Sequence, residues 1–215
     1  MHGNRLWKAT LMRGMLALAV GSAVFVVPDM SKTILLLPLA IVGSIFYLGI
    51  YGMLDSAIIY VTSSFVDPVI PKNALRLQGM AGSLIGLTIL LYGIHLEEFH
   101  YFLYLIAFQA LCTSVAEFIV ARHAIDHRKS VWNYTASAIA FAFMLIYAVI
   151  GFSMAETLTY YDLTWLIYAY LFAFGSAEFA TAVTMLSATV AVQAPAKHIE
   201  NQLTITSTGD LSHRP

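Results

Sequence analysis

Six long apolar segments, separated by short polar breaks, constrain the fold of this 215-residue chain more than any other feature. They lie at about 8–27, 34–62, 75–94, 100–121, 132–154 and 162–190. A helix of about 20 apolar residues crosses ~30 Å of hydrocarbon, and each segment is near or above that length. Only 11% of the residues are charged, against about 25% in soluble proteins. We therefore predict an all-α integral membrane protein with six transmembrane helices.

The chain is expected to form one membrane domain, residues 1–190, followed by a polar, flexible cytoplasmic tail, residues 191–215. The first apolar segment has a second interpretation as a cleavable signal peptide, because HGNRLWK is basic and Ala23 is small. Arg13 interrupts the apolar stretch that such a peptide needs. We therefore favour a retained first helix.

The positions of the basic residues predict how the helices are oriented. With a cytoplasmic N-terminus, ten of the eleven Lys and Arg residues lie in cytoplasmic segments or at the helix ends beside them, and Lys32 lies outside. The ten are Arg5, Lys8, Arg13, Lys72, Arg76, Arg122, Arg128, Lys129, Lys197 and Arg214. Because cytoplasmic segments of membrane proteins are rich in Lys and Arg, both termini are expected to be cytoplasmic.

An internal repeat brings three carboxylates into register. The second, fourth and sixth segments contain YGMLDSAIIY (51–60), TSVAEFIVA (113–121) and GSAEFATAV (175–183). Superposed, they align Asp55, Glu117 and Glu178, at spacings of 62 and 61 residues. The chain is therefore expected to consist of three repeated helical hairpins, related by an axis near the membrane normal. Their boundaries are about 8–62, 75–121 and 132–190.

Glycines repeat in the other half of the hairpin unit. RGMLALAVG (13–21) matches QGMAGSLIG (78–86), which aligns Gly14 with Gly79 and Gly21 with Gly86. Residues seven apart lie about 20° from the same helix face. Small residues on one face allow neighbouring helix backbones to approach. We predict that these four glycines are helix-packing positions.

Each intramembrane carboxylate needs a partner or a proton, because an ionised one costs about 2.5 kcal/mol or more inside a bilayer. Arg13 lies at a similar depth on the helix antiparallel to that of Asp55, so we predict an ion pair between them. Gln78 occupies the matching position in the second unit and is expected to form a hydrogen bond with Glu117. The third unit has isoleucine there, which leaves Glu178 without an obvious partner. Glu178 is therefore expected to be protonated.

Two interpretations of the carboxylates remain open. As packing groups, they hold helices in register through hydrogen bonds worth roughly 0.6 to 2 kcal/mol each. As proton-handling groups, Glu117 and Glu178 exchange protons while Arg13 and Asp55 hold the first hairpin closed. The sequence contains no HExxH motif, phosphate-binding glycine loop or nucleophile elbow. No enzymatic activity, catalytic residue, metal site or cofactor is predicted.

The first hairpin also carries a resemblance to a known family. LMRGMLALAVGSAVFVVP (11–28), a short proline-containing turn and IYGMLDSA (50–57), repeated as hairpins, resemble the HdeD family of bacterial acid-resistance membrane proteins. The resemblance covers about residues 6–190. It implies a six-helix protein of the bacterial inner membrane and a link to acid stress, and it supplies no catalytic residues. Gln78 instead of arginine, the eroded third unit and the long polar tail depart from the family pattern.

We therefore expect a non-enzymatic inner-membrane protein that contributes to acid or envelope stress tolerance through protonatable carboxylates. A structural or assembly protein whose polar residues only pack is one alternative, and a small-solute or ion transporter is another. The expected partner is the lipid bilayer, with a second copy of the chain or another membrane protein as open alternatives. No nucleic acid partner is expected.

Overall fold

The computed structural model describes residues 3–25, 27–64, 72–93, 99–123, 127–153 and 159–209. Within these ranges the protein is all-α, which confirms that part of the predicted fold class. Its helices are α1 (Gly3–Gly21), α2 (Val27–Ser31), α3 (Leu37–Ser63), α4 (Lys72–Tyr92), α5 (Phe99–His123), α6 (His127–Ser153) and α7 (Tyr160–Gly209). A short 3-10 helix, Ser22–Phe25, lies between α1 and α2.

Among the residues that the structure describes, five helical segments are long and apolar enough to cross a membrane, so the chain is a multi-pass membrane protein. They are Leu37–Ser63, Lys72–Tyr92, Tyr101–His123, Val131–Ser153 and Tyr160–Ser187. The sequence predicts a sixth span in the region of α1, which is not among the five. Three of the 19 residues of α1 are basic, namely Arg5, Lys8 and Arg13, and they lower its hydropathy.

Local sequence determines where several helices begin and end. α7 begins with a capping box, in which the Asp162 carboxylate accepts hydrogen bonds from the amide and hydroxyl of Thr159. The Thr159 hydroxyl in turn accepts a hydrogen bond from the Asp162 amide. Pro38 lies in the first turn of α3, where a missing N–H breaks no helical hydrogen bond. Arg122 lies in the last turn of α5, where positive charge is favourable.

The two ends of the helix bundle differ in charge. α1, α4 and α6 begin at one end, where Lys8, Arg76 and Arg122 are exposed, and we call it the basic end. α3, α5 and α7 begin at the other end, beside α2 and the exposed Asp29 and Lys32. We call this the α2 end.

The six long helices form a closed ring in chain order, with α1 between α3 and α7. The most extensive packing joins α3 to α4, α5 to α6, and α7 to α1. These pairs connect helices of different predicted hairpins. The two helices of each predicted hairpin are also neighbours, but they pack less extensively.

Glycines allow two of these helix pairs to approach closely. A Cβ atom at Gly14 would lie 2.8 Å from a backbone nitrogen of α7, and one at Gly21 would lie 3.0 Å from another. A Cβ atom at Gly79 or Gly86 would lie 2.9 Å from a backbone oxygen of α3. All four predicted packing glycines therefore lie where one helix backbone contacts another.

Serines join the third closely packed pair, α5 and α6. Ser114 Oγ donates a hydrogen bond to the Ser137 carbonyl oxygen at 3.0 Å, and Ser137 Oγ donates one to the Ser114 carbonyl oxygen at 2.8 Å. Both residues are buried. Such reciprocal bonds fix the register of two helices in an apolar environment.

The backbone of α7 continues as a helix to Gly209, beyond the membrane-spanning part that ends at Ser187. It therefore includes residues 191–209 of the segment for which the sequence predicts a polar, flexible tail. The flexibility of that segment stays a prediction, and residues 210–215 lie outside the described part of the chain.

Candidate functional site

One arginine and three carboxylates meet inside the ring of helices. Arg13 Nε donates a hydrogen bond to Asp55 Oδ1 at 2.9 Å, and Arg13 Nη1 donates one to Glu117 Oε1 at 2.8 Å. The same Nη1 atom lies 3.3 Å from Glu178 Oε1, an ion pair without hydrogen-bond geometry. α1 thus supplies the cation, and α3, α5 and α7 each supply one carboxylate. We call these four residues the Arg13 cluster.

The cluster is buried, with exposed fractions of 7% for Arg13, 3% for Asp55, 5% for Glu117 and 2% for Glu178. One guanidinium balances one carboxylate, so three ionised carboxylates would leave an excess of two negative charges. Uncompensated buried charge is strongly unfavourable. Glu117 Oε1 and Glu178 Oε1 lie 2.8 Å and 3.3 Å from the same atom, Arg13 Nη1, so these two carboxyl groups are close neighbours and the charge on one affects the other. The arrangement therefore favours protons on two of the three carboxylates.

The close contact between α1 and α7 places the guanidinium in the cluster. Gly14, next to Arg13, approaches the α7 backbone at Gly175 and Phe179, and Phe179 follows Glu178 in sequence. At a rise of 1.5 Å per residue, Asp55 lies ~12 Å and Glu117 ~9 Å from the basic ends of their helices. The cluster therefore lies nearer the basic end than the α2 end.

An aromatic layer covers the cluster on the side of the α2 end. Phe143, Tyr147, Tyr170 and Phe174 pack with ring centroids 5.2 to 6.2 Å apart. The Phe174 ring centroid lies 5.7 Å from Arg13 Cζ, within the range of a cation–π interaction. Tyr147 and Phe174 are almost completely buried. This layer separates the charged groups from the part of the bundle nearer the α2 end.

A small cavity lies on the other side of the cluster, toward the basic end, and we call it the polar cavity because the charged groups border it, although apolar residues such as Ile59, Leu75 and Val120 form most of its wall. Its volume is about 50 Å³, and Arg13, Glu117 and Glu178 form part of its wall. Its other polar lining residues are Thr10, Thr62 and Asn133. A water molecule needs about 10–15 Å³ of such space and two to four polar partners. The cavity therefore has room for a few water molecules in contact with the carboxylates.

The structure differs from the sequence prediction at two partners. Glu178, expected to have no partner, lies beside Arg13 Nη1, because α1 closes the ring against α7. Gln78, expected to bond Glu117, is buried but has no hydrogen-bond partner for either amide atom among the described residues. α4 packs chiefly against α3 rather than α5, and the Glu117 carboxylate is bound by Arg13 instead.

Arg13 occupies the place that a metal cation would take between these carboxylates. In the part of the chain that the structure describes, no three His, Cys, Asp or Glu side chains are arranged to hold a metal ion. Comparisons with protein families, curated proteins and solved structures found no match to this chain. The function must therefore be argued from the cluster itself.

Proposed function

We propose that this protein is a non-enzymatic membrane protein whose Arg13 cluster binds and releases protons, and that it contributes in this way to acid or envelope stress tolerance. One observation carries the proposal: a single buried arginine faces three buried carboxylates. Inside a bilayer this set of charges is balanced only when two of the carboxylates are protonated. Its charge therefore depends on the proton concentration at the site.

The surroundings of the cluster support proton entry from one side. Glu117 and Glu178 line the polar cavity toward the basic end, and hydroxyl and amide groups of Thr10, Thr62 and Asn133 accompany them. Water bridging such groups conducts protons through hydrogen bonds. The aromatic layer lies on the other side, where the Phe174 ring packs against the guanidinium of Arg13.

The proposal includes an orientation and a location. We place the basic end and both termini in the cytoplasm, because Lys and Arg are enriched in cytoplasmic segments, with α1 as a sixth span in a bacterial inner membrane. The three carboxylates, contributed by alternate long helices, agree with three hairpin repeats around one axis. The resemblance to the HdeD family motivates the acid-stress role.

Proton uptake by the purified protein tests this function. After a shift from about pH 10, where the cluster is expected to have released protons, to about pH 6.5, well above the range in which exposed carboxylates titrate, the wild type should bind more protons than Glu117→Gln/Glu178→Gln. The expected difference is at least about one proton per chain, since each substitution removes one titratable group. Asp162→Asn, an exposed control, should match the wild type. Equal uptake by all three proteins would leave only a packing role.

Transport of a small solute or ion is a second candidate function, because two further cavities lie between the Arg13 cluster and the α2 end. A cavity of about 40 Å³ is lined by Tyr51 and Tyr170 and shares Leu48 and Ile167 with a larger cavity near the α2 end. A pH gradient across proteoliposomes distinguishes the candidates. Transport predicts that the wild type dissipates the gradient faster than Glu178→Gln, whereas proton binding alone predicts equal and slow dissipation.

A further inference from the structure

A cavity larger than the polar cavity lies away from the Arg13 cluster, near the α2 end, with walls formed mainly by α3 and α7. Its volume is about 200 Å³. The apolar part of its wall includes Ile45, Leu48, Leu163 and Ile167, which belong to the main hydrophobic core. An apolar cavity of about 150 Å³ is already large enough to bind benzene. This cavity is therefore large enough for part of an apolar ligand.

The cavity lies beyond the end of α1. α1 ends at Gly21, which contacts the α7 backbone at Phe172. α7 begins at Tyr160, so it extends ~18 Å beyond that contact at 1.5 Å per residue. The 3-10 helix and α2 pack against this part of α7, and α2 also packs against α3, whereas the cavity wall is formed mainly by α3 and α7. Val42, an exposed residue of α3, forms part of the rim, so the cavity opens toward the membrane.

Two hydroxyl groups in the cavity wall lack partners. Ser44 lies beside Tyr160 and Tyr168, but Ser44 Oγ and Tyr168 Oη make no hydrogen bond of acceptable geometry among the described residues. Ser44 is 6% exposed and Tyr168 is 1% exposed. Buried hydroxyl groups are normally hydrogen-bonded, and an unpaired one is costly. Two neighbouring hydroxyls that bond each other use only one of their two O–H donors, so the cavity wall lacks at least one hydrogen-bond acceptor.

We infer that this cavity binds one acyl chain of a membrane phospholipid, with an ester carbonyl oxygen accepting hydrogen bonds from Ser44 and Tyr168. Ser44 and Tyr168 lie about two turns from the start of α3 and α7. Apolar residues flank them in the cavity wall, and Leu48 continues the wall one turn farther along α3. The site thus places hydroxyl donors beside an apolar surface, as an ester group and its acyl chain require. Hydroxyl hydrogens rotate to suit an acceptor, so a carbonyl can satisfy both groups.

A photoactivatable lipid tests the inference on the full-length protein in liposomes. The probe is a trace of phosphatidylethanolamine carrying a diazirine in one acyl chain, and the labelled residues are mapped by mass spectrometry. Labelling is expected to concentrate in the cavity wall at residues 41–48 and 163–168. Ile41→Phe, at the cavity wall, should reduce it to the level of the exposed helix faces. Ile146→Phe, the same change on an exposed face of α6, should have no effect.

A second pair of variants tests the polar contact without filling the cavity. Ser44→Ala/Tyr168→Phe should reduce cavity labelling at least about fivefold, because it removes both hydrogen bonds to the carbonyl and the net loss of one alone has about that effect. Ser176→Ala/Tyr134→Phe removes the same groups from exposed positions and should label as the wild type. Even labelling over all exposed faces would overturn the inference, and so would unchanged cavity labelling in either Ile41→Phe or Ser44→Ala/Tyr168→Phe. Proton uptake by the Arg13 cluster is independent of all four variants.

Discussion

Arg13 is the residue on which the site depends, because its guanidinium is the partner of all three buried carboxylates. The sequence predicts its pairing with Asp55 from depth and antiparallel neighbours within one hairpin. Its contacts with Glu117 and Glu178 join different predicted hairpins and depend on how α1 closes the ring, which no local pattern encodes. The nearly equal spacing of Asp55, Glu117 and Glu178 in the sequence is the signal that could have predicted their meeting. Equivalent residues of units repeated around one axis all face that axis.

Removal of the Arg13 guanidinium should therefore leave the buried carboxylates without an ion-pair partner. Arg13→Gln is expected to lower the free energy of unfolding by about 3–5 kcal/mol, the cost of breaking a buried ion pair from one side. Adding Asp55→Asn should restore part of the lost free energy of unfolding, because it removes one carboxylate that has no ion-pair partner. Thermal unfolding in one fixed detergent measures both effects. Lys8→Gln, an exposed change on the same helix, is the control, and additive losses in the double variant would contradict the pairing.

At the element scale, glycines determine which helices lie closest. The matching motifs predict Gly14, Gly21, Gly79 and Gly86 as packing positions, and each lies against a neighbouring backbone. The motifs do not say which helix is the neighbour. In the structure the closely packed partners are α7 for α1 and α3 for α4, so the glycines join helices across predicted hairpins. Partner choice depends on the whole ring, and a spacing within one helix does not specify it.

Two glycines of α3 and α4 provide a matched test of this packing. A Cβ atom at Gly86 would meet the α3 backbone at 2.9 Å, whereas one at Gly43 meets nothing within 4 Å. Gly86→Ala should reduce the free energy of unfolding by about 1–3 kcal/mol through overpacking. Gly43→Ala should leave it unchanged or raise it by up to ~1 kcal/mol, because alanine favours the helix. Equal unfolding midpoints for the two variants would contradict the contact.

At the scale of the whole molecule, the long apolar segments are sufficient to predict a multi-pass all-α membrane protein. They do not predict that α1 differs from the five segments that are apolar enough to cross a membrane, or that a cavity lies between α3 and α7 near the α2 end. The length of a helix depends on its local sequence. A cavity depends on how helices that are distant in sequence pack against each other. For the same reason, sequence patterns do not predict the polar cavity beside the Arg13 cluster.

The proposed orientation can be measured with single cysteines. In a Cys112→Ala background, Ile34→Cys lies in the exposed segment between α2 and α3, and Arg122→Cys lies at the exposed basic end of α5. A membrane-impermeant maleimide applied to intact bacteria should label Ile34→Cys and leave Arg122→Cys unlabelled until the cells are opened. The opposite labelling pattern would place the basic end outside.

The central claim, that the Arg13 cluster holds protons inside the membrane, is tested most directly by infrared spectroscopy. The carbonyl stretching band of a protonated carboxylic acid is separate from the bands of ionised carboxylates. For the protein in lipid nanodiscs at neutral pH, we predict this band in the wild type and in Asp162→Asn. It should weaken in Glu178→Gln and disappear in Glu117→Gln/Glu178→Gln, where Asp55 alone balances Arg13. A wild type without the band, or a double variant that keeps it in full, would contradict the claim.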